Sequence, residues 1–152
     1  MKYVITLLFL INNVLLANYA YEDNAILKKH GKIITTDNGE YAIISILGHW
    51  TDNTGSFGKT ECYGKLETNK GKVILFETFC KRESKKGFFL MRGLRDKADL
   101  KSGIGFTTII DATGIYKKLI GEKCTYAAAY YKDSVHIVTK CNINKNILSK
   151  NN

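Results

Sequence analysis

The side chains best suited to catalysis in this 152-residue sequence are a histidine and two acidic residues. His49 and Asp52 flank Trp50 where a predicted strand gives way to a loop rich in Asp, Asn and Gly, and Glu77 lies on a later predicted strand. An enzyme would bring such a group into a cavity with a shifted pKa, because acid–base catalysis needs a pKa near the working pH. A cavity lined by aromatic and aliphatic side chains alone would indicate a binding protein instead.

Further residues could lie at such a cavity. Five aromatic side chains either line a pocket or fill the core: Phe106, Tyr116, Tyr126, Tyr130 and Tyr131. The charged segment 92–102, which includes Arg92 and Arg95, is expected to be a connection that either borders the mouth of a cavity or is simply solvated.

Several other kinds of site have no support in the spacing of the residues. The three histidines, His30, His49 and His136, lack the spacing of metal ligands, and no Gly-x-Ser-x-Gly sequence marks a serine hydrolase. Gly103-x-Gly105 is not followed by the helix that a dinucleotide site requires. We therefore expect neither a metal nor a cofactor, and a binding or structural role rather than an enzymatic one.

The four cysteines indicate how the chain positions these candidates. Residues 58–81 form a predicted hairpin in which Cys62 faces Cys80, and a later hairpin places Cys124 opposite Cys141. The register of the first hairpin also pairs opposite charges and apolar side chains across the strands: Glu61 with Lys81, Lys65 with Glu77, Tyr63 with Phe79 and Leu66 with Phe76. Directly opposed residues suit a disulfide, and an even number of cysteines fits an oxidising compartment. We expect the disulfides Cys62–Cys80 and Cys124–Cys141.

The remaining segments predict an all-β fold. Short apolar or alternating stretches recur between turns rich in Gly, Asn and Asp, with no long helical period. Residues 41–47 are nearly all apolar, which indicates a strand buried on both faces, and residues 115–120 indicate a short strand. We predict a single antiparallel barrel of eight or nine strands, since a closed barrel leaves no exposed edge strand. A β-sandwich is the second choice.

Two short motifs resemble known barrel families. The sequence GHWTDNTGS at 48–56 is similar to the opening strand and loop of avidin-type barrels, and its Gly-x-Trp also resembles the start of lipocalins. The sequence DATGIYKKLIG at 111–121, followed by Tyr126, resembles a hairpin of the allene oxide cyclase and dirigent group. The second resemblance implies a calycin-like, eight-stranded barrel with a cavity, in a group that includes cofactor-free cyclases and proteins that guide coupling reactions. The matched residues form a structural turn, so they carry over no catalytic residue.

The first twenty residues have the layout of a secretory signal peptide. Lys2 precedes a mostly apolar run, and Ala17 and Ala20 are small residues suited to cleavage. The apolar run is shorter than the roughly 20 residues that span a membrane. We therefore expect a secreted or periplasmic protein with no stable membrane association after cleavage. The predicted parts of the chain are a signal peptide at 1–20, a polar lead-in at 21–31, a barrel domain at 32–142 and a polar tail at 143–152.

The formal net charge of +9 comes from scattered lysines rather than from a long basic run. A basic surface favours anionic partners in general, but an exported protein rarely meets nucleic acid, so we expect no nucleic-acid partner. The sequence specifies no oligomeric state.

These observations favour an exported barrel that binds a small apolar or amphipathic ligand in its interior or at its mouth. The alternative is a cofactor-free isomerase or cyclase of the allene oxide cyclase or dirigent type. A third alternative is a solidly packed interior, in which case the protein acts through its basic surface.

Overall fold

The structure is built by antiparallel pairing of consecutive strands. It is a computed structural model that describes residues 18–99 and 102–148, and at 97–99 only the backbone is described. Each strand pairs with the next along the chain, and the last pairs with the first, so the sheet closes into an eight-stranded barrel. The strands are β1 (Asn18–Ile34), β2 (Gly39–Asp52), β3 (Phe57–Asn69), β4 (Lys72–Ser84), β5 (Gly87–Asp99), β6 (Ser102–Ala112), β7 (Lys123–Tyr131) and β8 (Ser134–Asn144). The predicted all-β barrel is confirmed, and the sandwich is not the fold. Among the described residues, no helix is long and apolar enough to cross a membrane.

Both predicted disulfides are present, and both lie inside the barrel. Cys62 on β3 faces Cys80 on β4 with a Cα–Cα distance of 4.0 Å, and Cys124 on β7 faces Cys141 on β8 at 4.1 Å. All four cysteines are buried. The predicted register of the first hairpin is also correct, with one irregularity near its turn between Glu67 and Thr68. Each disulfide closes a loop of under twenty residues, for which chain-entropy estimates give about 3 kcal/mol.

Aromatic rings close the end of the barrel that holds the β2–β3 and β4–β5 turns. Trp50 packs against Phe89 and Tyr116 with ring centroids 5.4 and 6.0 Å apart, and Tyr21 contacts Trp50 at 6.5 Å. Tyr116 reaches this cluster from a 3₁₀ helix at Gly114–Leu119 in the β6–β7 connection. We call the four rings the aromatic plug. Edge-to-face contacts of this kind stabilise a core beyond the area that they bury.

The predicted short strand at 115–120 is therefore wrong, because this segment is mostly the 3₁₀ helix. Gly114 begins the helix with a φ of 59°, and a Cβ at this position would lie 1.9 Å from the carbonyl oxygen of Lys86. Glycine alone tolerates both the backbone angle and the close approach. The tight turn directs the chain inward, and Tyr116 and Leu119 become buried.

A buried ion pair crosses the barrel interior from β1 to β4. The Asp23 carboxylate accepts hydrogen bonds from Nε of Arg82 at 3.0 Å and from Nη2 at 2.5 Å. Thr60 on β3 donates to the same carboxylate at 2.5 Å. The Arg82 guanidinium also lies over the Tyr21 ring at 4.7 Å. Because both charged side chains are buried, each depends on the other to offset the loss of hydration.

The structure corrects the expected boundaries at both ends of the barrel. Residues 21–31 are not a lead-in, since they lie within β1 and pair with both β2 and β8. The expected polar tail begins with the last residues of β8 and a short 3₁₀ helix at Lys145–Ile147, after which Leu148 is buried. Residues 1–17 and 149–152, which include most of the predicted signal peptide, lie outside the described residues.

Two strands in the middle of the sequence also differ from expectation. Segment 41–47 is buried on its inner face, but Tyr41, Ile43 and Leu47 on its outer face are exposed. The charged segment 92–102 is mostly the second half of β5 rather than a connection, with Arg95 buried and Arg92 exposed. Alternation along the strand places neighbouring charges on opposite faces.

The ion pair yields a prediction for stability. Asp23→Asn leaves the Arg82 guanidinium buried without its carboxylate, so we expect the free energy of unfolding to fall by about 3–5 kcal/mol. Guanidinium chloride denaturation measures the change. The matched double variant, Asp23→Leu with Arg82→Met, removes both charges and should recover most of the loss. A loss below about 1 kcal/mol for Asp23→Asn would contradict the assigned role.

The packing of β1 also predicts where an exported chain would be cleaved. Tyr19 is fully buried, its hydroxyl donates to Asp52 at 3.1 Å, and Asn18 pairs with Asn144 on β8. Cleavage after Ala20 would remove Tyr19 from the core, whereas cleavage after Ala17 leaves β1 complete. We therefore predict a mature chain that begins at Asn18, and N-terminal sequencing of secreted protein would check this. A mature N-terminus at Tyr21 would contradict this prediction.

Candidate functional site

The interior of the barrel is almost filled by side chains. The cavity inside it has a volume of about 20 Å³, which is room for about one water molecule. Its lining residues come from both sides of the barrel and include Phe76, Thr78, Thr107, Tyr126, Tyr130 and Thr139. A drug-sized ligand has no space there in this arrangement of side chains.

A much larger concave site lies on the outside of the barrel. Its volume is about 600 Å³, and it crosses four neighbouring strands in the order β2, β1, β8 and β7. Each strand contributes three consecutive residues. We call this site the outer groove and define it by residues 47–49, 24–26, 134–136 and 129–131.

One row of the outer groove carries polar side chains. Asn24 on β1 pairs with His49 on β2 on one side and with His136 on β8 on the other. Nδ1 of His136 and the Asn24 side-chain oxygen are 3.0 Å apart and hydrogen-bonded. Both imidazoles are exposed, so the row offers a ligand hydrogen-bond donors and acceptors.

The adjacent row of the outer groove is apolar. Ile26 pairs with Leu47 across β1 and β2, and Tyr131 lies near them at the end of β7. These side chains are 49%, 43% and 75% exposed respectively. A concentration of large apolar side chains next to polar ones is typical of a binding surface.

The outer groove lacks carboxylate side chains. No aspartate or glutamate is among its lining residues. Within the described part of the chain, no three His, Cys, Asp or Glu side chains come together as metal ligands. The arrangement is suited to holding a molecule by apolar contact and hydrogen bonds.

The structure separates the sequence candidates His49 and Trp50 although they are neighbours in the chain. His49 points outward into the outer groove, whereas Trp50 points inward and is part of the aromatic plug. Successive side chains on a strand face opposite sides of a sheet, so the side chains of these two residues lie on opposite sides of the barrel wall.

Asp52 organises the β2–β3 turn. Its Oδ1 accepts hydrogen bonds from the backbone N–H groups of Thr54 and Ser56 at 2.9 and 2.8 Å, and from the Thr54 hydroxyl at 2.7 Å. Its Oδ2 accepts from the Tyr19 hydroxyl at 3.1 Å. Burial and the neighbouring carboxylate raise the pKa of Tyr19, which keeps the phenol protonated as a donor.

The other sequence candidates also lie apart from one another. Glu77 points outward and is paired with Arg92 at 2.5 Å and Lys65 at 3.2 Å, and these hydrogen-bonded cations lower its pKa. Phe106 is outside the barrel and 67% exposed. Tyr116 belongs to the aromatic plug with Trp50, and Tyr126 lies in the interior, where burial raises its pKa. Among the predicted site residues, the rings of Trp50 and Tyr116 are brought into contact.

Most of the outer groove was missed at the sequence level. The residues not predicted include Asn24, Ile26, Leu47 and His136, whereas Tyr131 is among the aromatic residues that the sequence suggests for a pocket. The period-two pattern places 47 with 49 and 134 with 136 on one face of their strands, which was a usable signal. The position of β1 between β2 and β8 has no comparable signal, because the polar residues at 21–31 resemble a lead-in segment.

Substitutions of Asp52 and His49, the two candidates near the β2–β3 loop, are expected to have different effects on stability. Asp52→Ala removes the acceptor of four hydrogen bonds, so we expect a loss of about 1–3 kcal/mol in the free energy of unfolding. His49→Ala removes an exposed side chain, and its effect should stay within about 0.5 kcal/mol. Urea denaturation of both variants tests this, and equal losses would show that Asp52 does not have the assigned structural role.

Neither a family model, nor a curated protein, nor a solved structure matches this chain. The geometry of the outer groove and of the barrel interior is therefore the basis on which a function is proposed.

Proposed function

We propose that the protein is an exported β-barrel that binds a small amphipathic molecule in the outer groove, beside the mouth of the barrel. The observation that carries this proposal is the presence of an apolar row and a polar row side by side in one groove of about 600 Å³. Small-molecule sites in proteins typically have volumes of about 300–1,000 Å³ and combine mostly apolar walls with a few polar groups.

The two rows indicate how such a molecule would lie. Its apolar part would cover Ile26, Leu47 and Tyr131, whose exposed surface is removed from water on binding. Its polar part would face Asn24 and the two imidazoles of the adjacent row.

The charge around the groove favours an acidic polar group. The Lys132 ammonium lies 5.6 Å from the centre of the Tyr131 ring, next to the groove. The chain as a whole carries a formal net charge of +9, and a positive field raises the local concentration of anions. An amphipathic anion therefore complements the groove better than an amphipathic cation.

Export is part of the same proposal. Two disulfides closed inside the barrel are typical of a protein that folds in an oxidising compartment. The signal-peptide layout of the first residues supports secretion or transport to a periplasm.

Binding is favoured over the isomerase alternative. An isomerase of the cyclase type needs a general acid and a general base that face one bound substrate. The groove has no carboxylate, and its two imidazoles are kept apart by Asn24 on the strand between them. The buried acid Asp23 is engaged by Arg82, and Glu77 is paired outside the groove.

The amphipathic dye 8-anilinonaphthalene-1-sulfonate is a suitable probe for this proposal. We expect its fluorescence to rise on titration with the folded protein, and the amide NMR shifts to concentrate in residues 24–26, 47–49 and 129–136. Tyr131→Ser should weaken binding by about fivefold or more, because exposed aromatic side chains commonly dominate contact energy.

Phe106→Ser is the matched control, since Phe106 is a similarly exposed aromatic residue outside the groove. This variant should bind the dye within about twofold of the wild type, as expected for a residue outside the contact. Equal weakening by both variants, or NMR shifts spread evenly over the barrel, would exclude the outer groove as the site.

A further inference from the structure

The β1 strand extends beyond its neighbour β8, so part of it is paired on one side only. Ile26 pairs with Ser134 at the start of β8, and the backbone N–H of Leu27 donates to the carbonyl oxygen of Asp133 at 2.8 Å. β1 then continues to Ile34 and stays paired with β2. Among the described residues, no strand pairs with 28–34 on the side of β8. We call residues 28–34 the projecting edge.

The projecting edge presents backbone hydrogen-bonding groups to solvent. In an antiparallel pair, the N–H and C=O groups of alternate residues point to the same neighbour, so about half of those in 28–34 point away from β2. All of these residues are exposed. The segment is about 20 Å long at the usual rise per residue, which is the length of an ordinary strand. An edge of this kind can accept a further strand.

A hollow lies beside the projecting edge on the outer face of the sheet. Its volume is about 540 Å³, and its lining includes Gly31, Ile33, Tyr41 and Ile43. Gly31 pairs with Ile43, and a Cβ at Gly31 would have no atom within 4 Å. The three large apolar side chains are 49–70% exposed. An apolar side chain from an added strand would therefore cover them and remove apolar surface from water.

The charge of the projecting edge determines which chain suits it. Three lysines lie on it: Lys28, Lys29 and Lys32. Glu40 on β2 pairs with Lys29 and, at 3.9 Å, with Lys32, whereas Lys28 has no ion pair among the described residues. Three cations thus share one carboxylate. The same edge of a second copy would bring its own lysines against these, and like charges on adjacent strands are destabilising.

We propose that the projecting edge binds an extended acidic peptide segment, which adds to β1 as a further strand. Lys29 and Lys32 pair with Ile44 and Ala42, which face inward, whereas Gly31 and Ile33 pair with Ile43 and Tyr41, which face outward. A segment that alternates acidic and apolar residues matches both faces, because successive side chains on a strand point to opposite sides.

This site is separate from the outer groove. The two lie on the same strand, but none of residues 28–34 lines the outer groove. Either proposal can therefore fail without the other.

A synthetic peptide of alternating glutamate and valine, matched in length to the projecting edge, tests the proposal. We expect its amide NMR shifts on the protein to concentrate in residues 28–34. We also expect hydrogen exchange to slow at the amides that point away from β2, because these become hydrogen-bonded to the peptide. A peptide with lysine in place of glutamate has the same apolar pattern and should not bind.

Two double variants with the same net charge separate this site from general charge attraction. Lys29→Gln with Lys32→Gln removes the two cations that would face the acidic side chains, so the dissociation constant of the glutamate peptide should rise by about fivefold or more. Lys123→Gln with Lys140→Gln is the control, because both lysines are exposed on β7 and β8, away from the projecting edge. It should bind within about twofold of the wild type.

Four outcomes would overturn the proposal. One is that the glutamate peptide does not bind. Another is that it shifts the amides of 28–34 without slowing their exchange, which would show a charge contact and no added strand. Equal weakening by the two double variants would show attraction to the net charge alone. Slow exchange at the outward amides without peptide, increasing with protein concentration, would show that a second copy occupies the edge.

Discussion

The pairing of β1 with both β2 and β8 is the constraint on which the rest of the structure depends. It removes the two free edges that an eight-stranded sheet would otherwise expose, and it encloses the interior. The inner face of β1 supplies Tyr21 to the aromatic plug and Asp23 to the ion pair. Its outer face supplies Asn24 and Ile26 to the centre of the outer groove. A single strand therefore links barrel closure, core charge and the candidate binding surface.

The filling of the barrel determines where a ligand can bind. Eight strands enclose a space that side chains can fill or that can hold one small ligand. Here two disulfides, the aromatic plug and two arginines occupy that space, and about 20 Å³ remains. An organic ligand is thus directed to the outer surface, while the interior has room only for a particle of the size of a water molecule or a small ion.

The parts of the fold that could be predicted from the sequence are those determined by neighbours along the chain. The Cys62–Cys80 hairpin was predictable because charge, aromatic and apolar pairs agree on one register across a short turn. β1 was not predictable, because its alternating polar residues resemble a loop unless the inward position of Asp23 is known. That position depends on Arg82, which is 59 residues away in sequence. The strand prediction for the segment after Gly114 was wrong for a similar reason, since a contact with the backbone of Lys86 directs this segment inward.

The candidate site residues were harder to predict than the strands, because the type of a residue does not reveal which side chain it pairs with in the fold. Glu77 has the chemistry of a catalytic acid, yet Lys65 and Arg92 neutralise it on the outer surface. Arg82 and Arg95 are chemically identical and almost equally buried. Only the folded barrel shows that Arg82 has a carboxylate partner, whereas no carboxylate among the described side chains pairs with Arg95. The buried charged side chains that the structure describes thus leave one positive charge uncompensated.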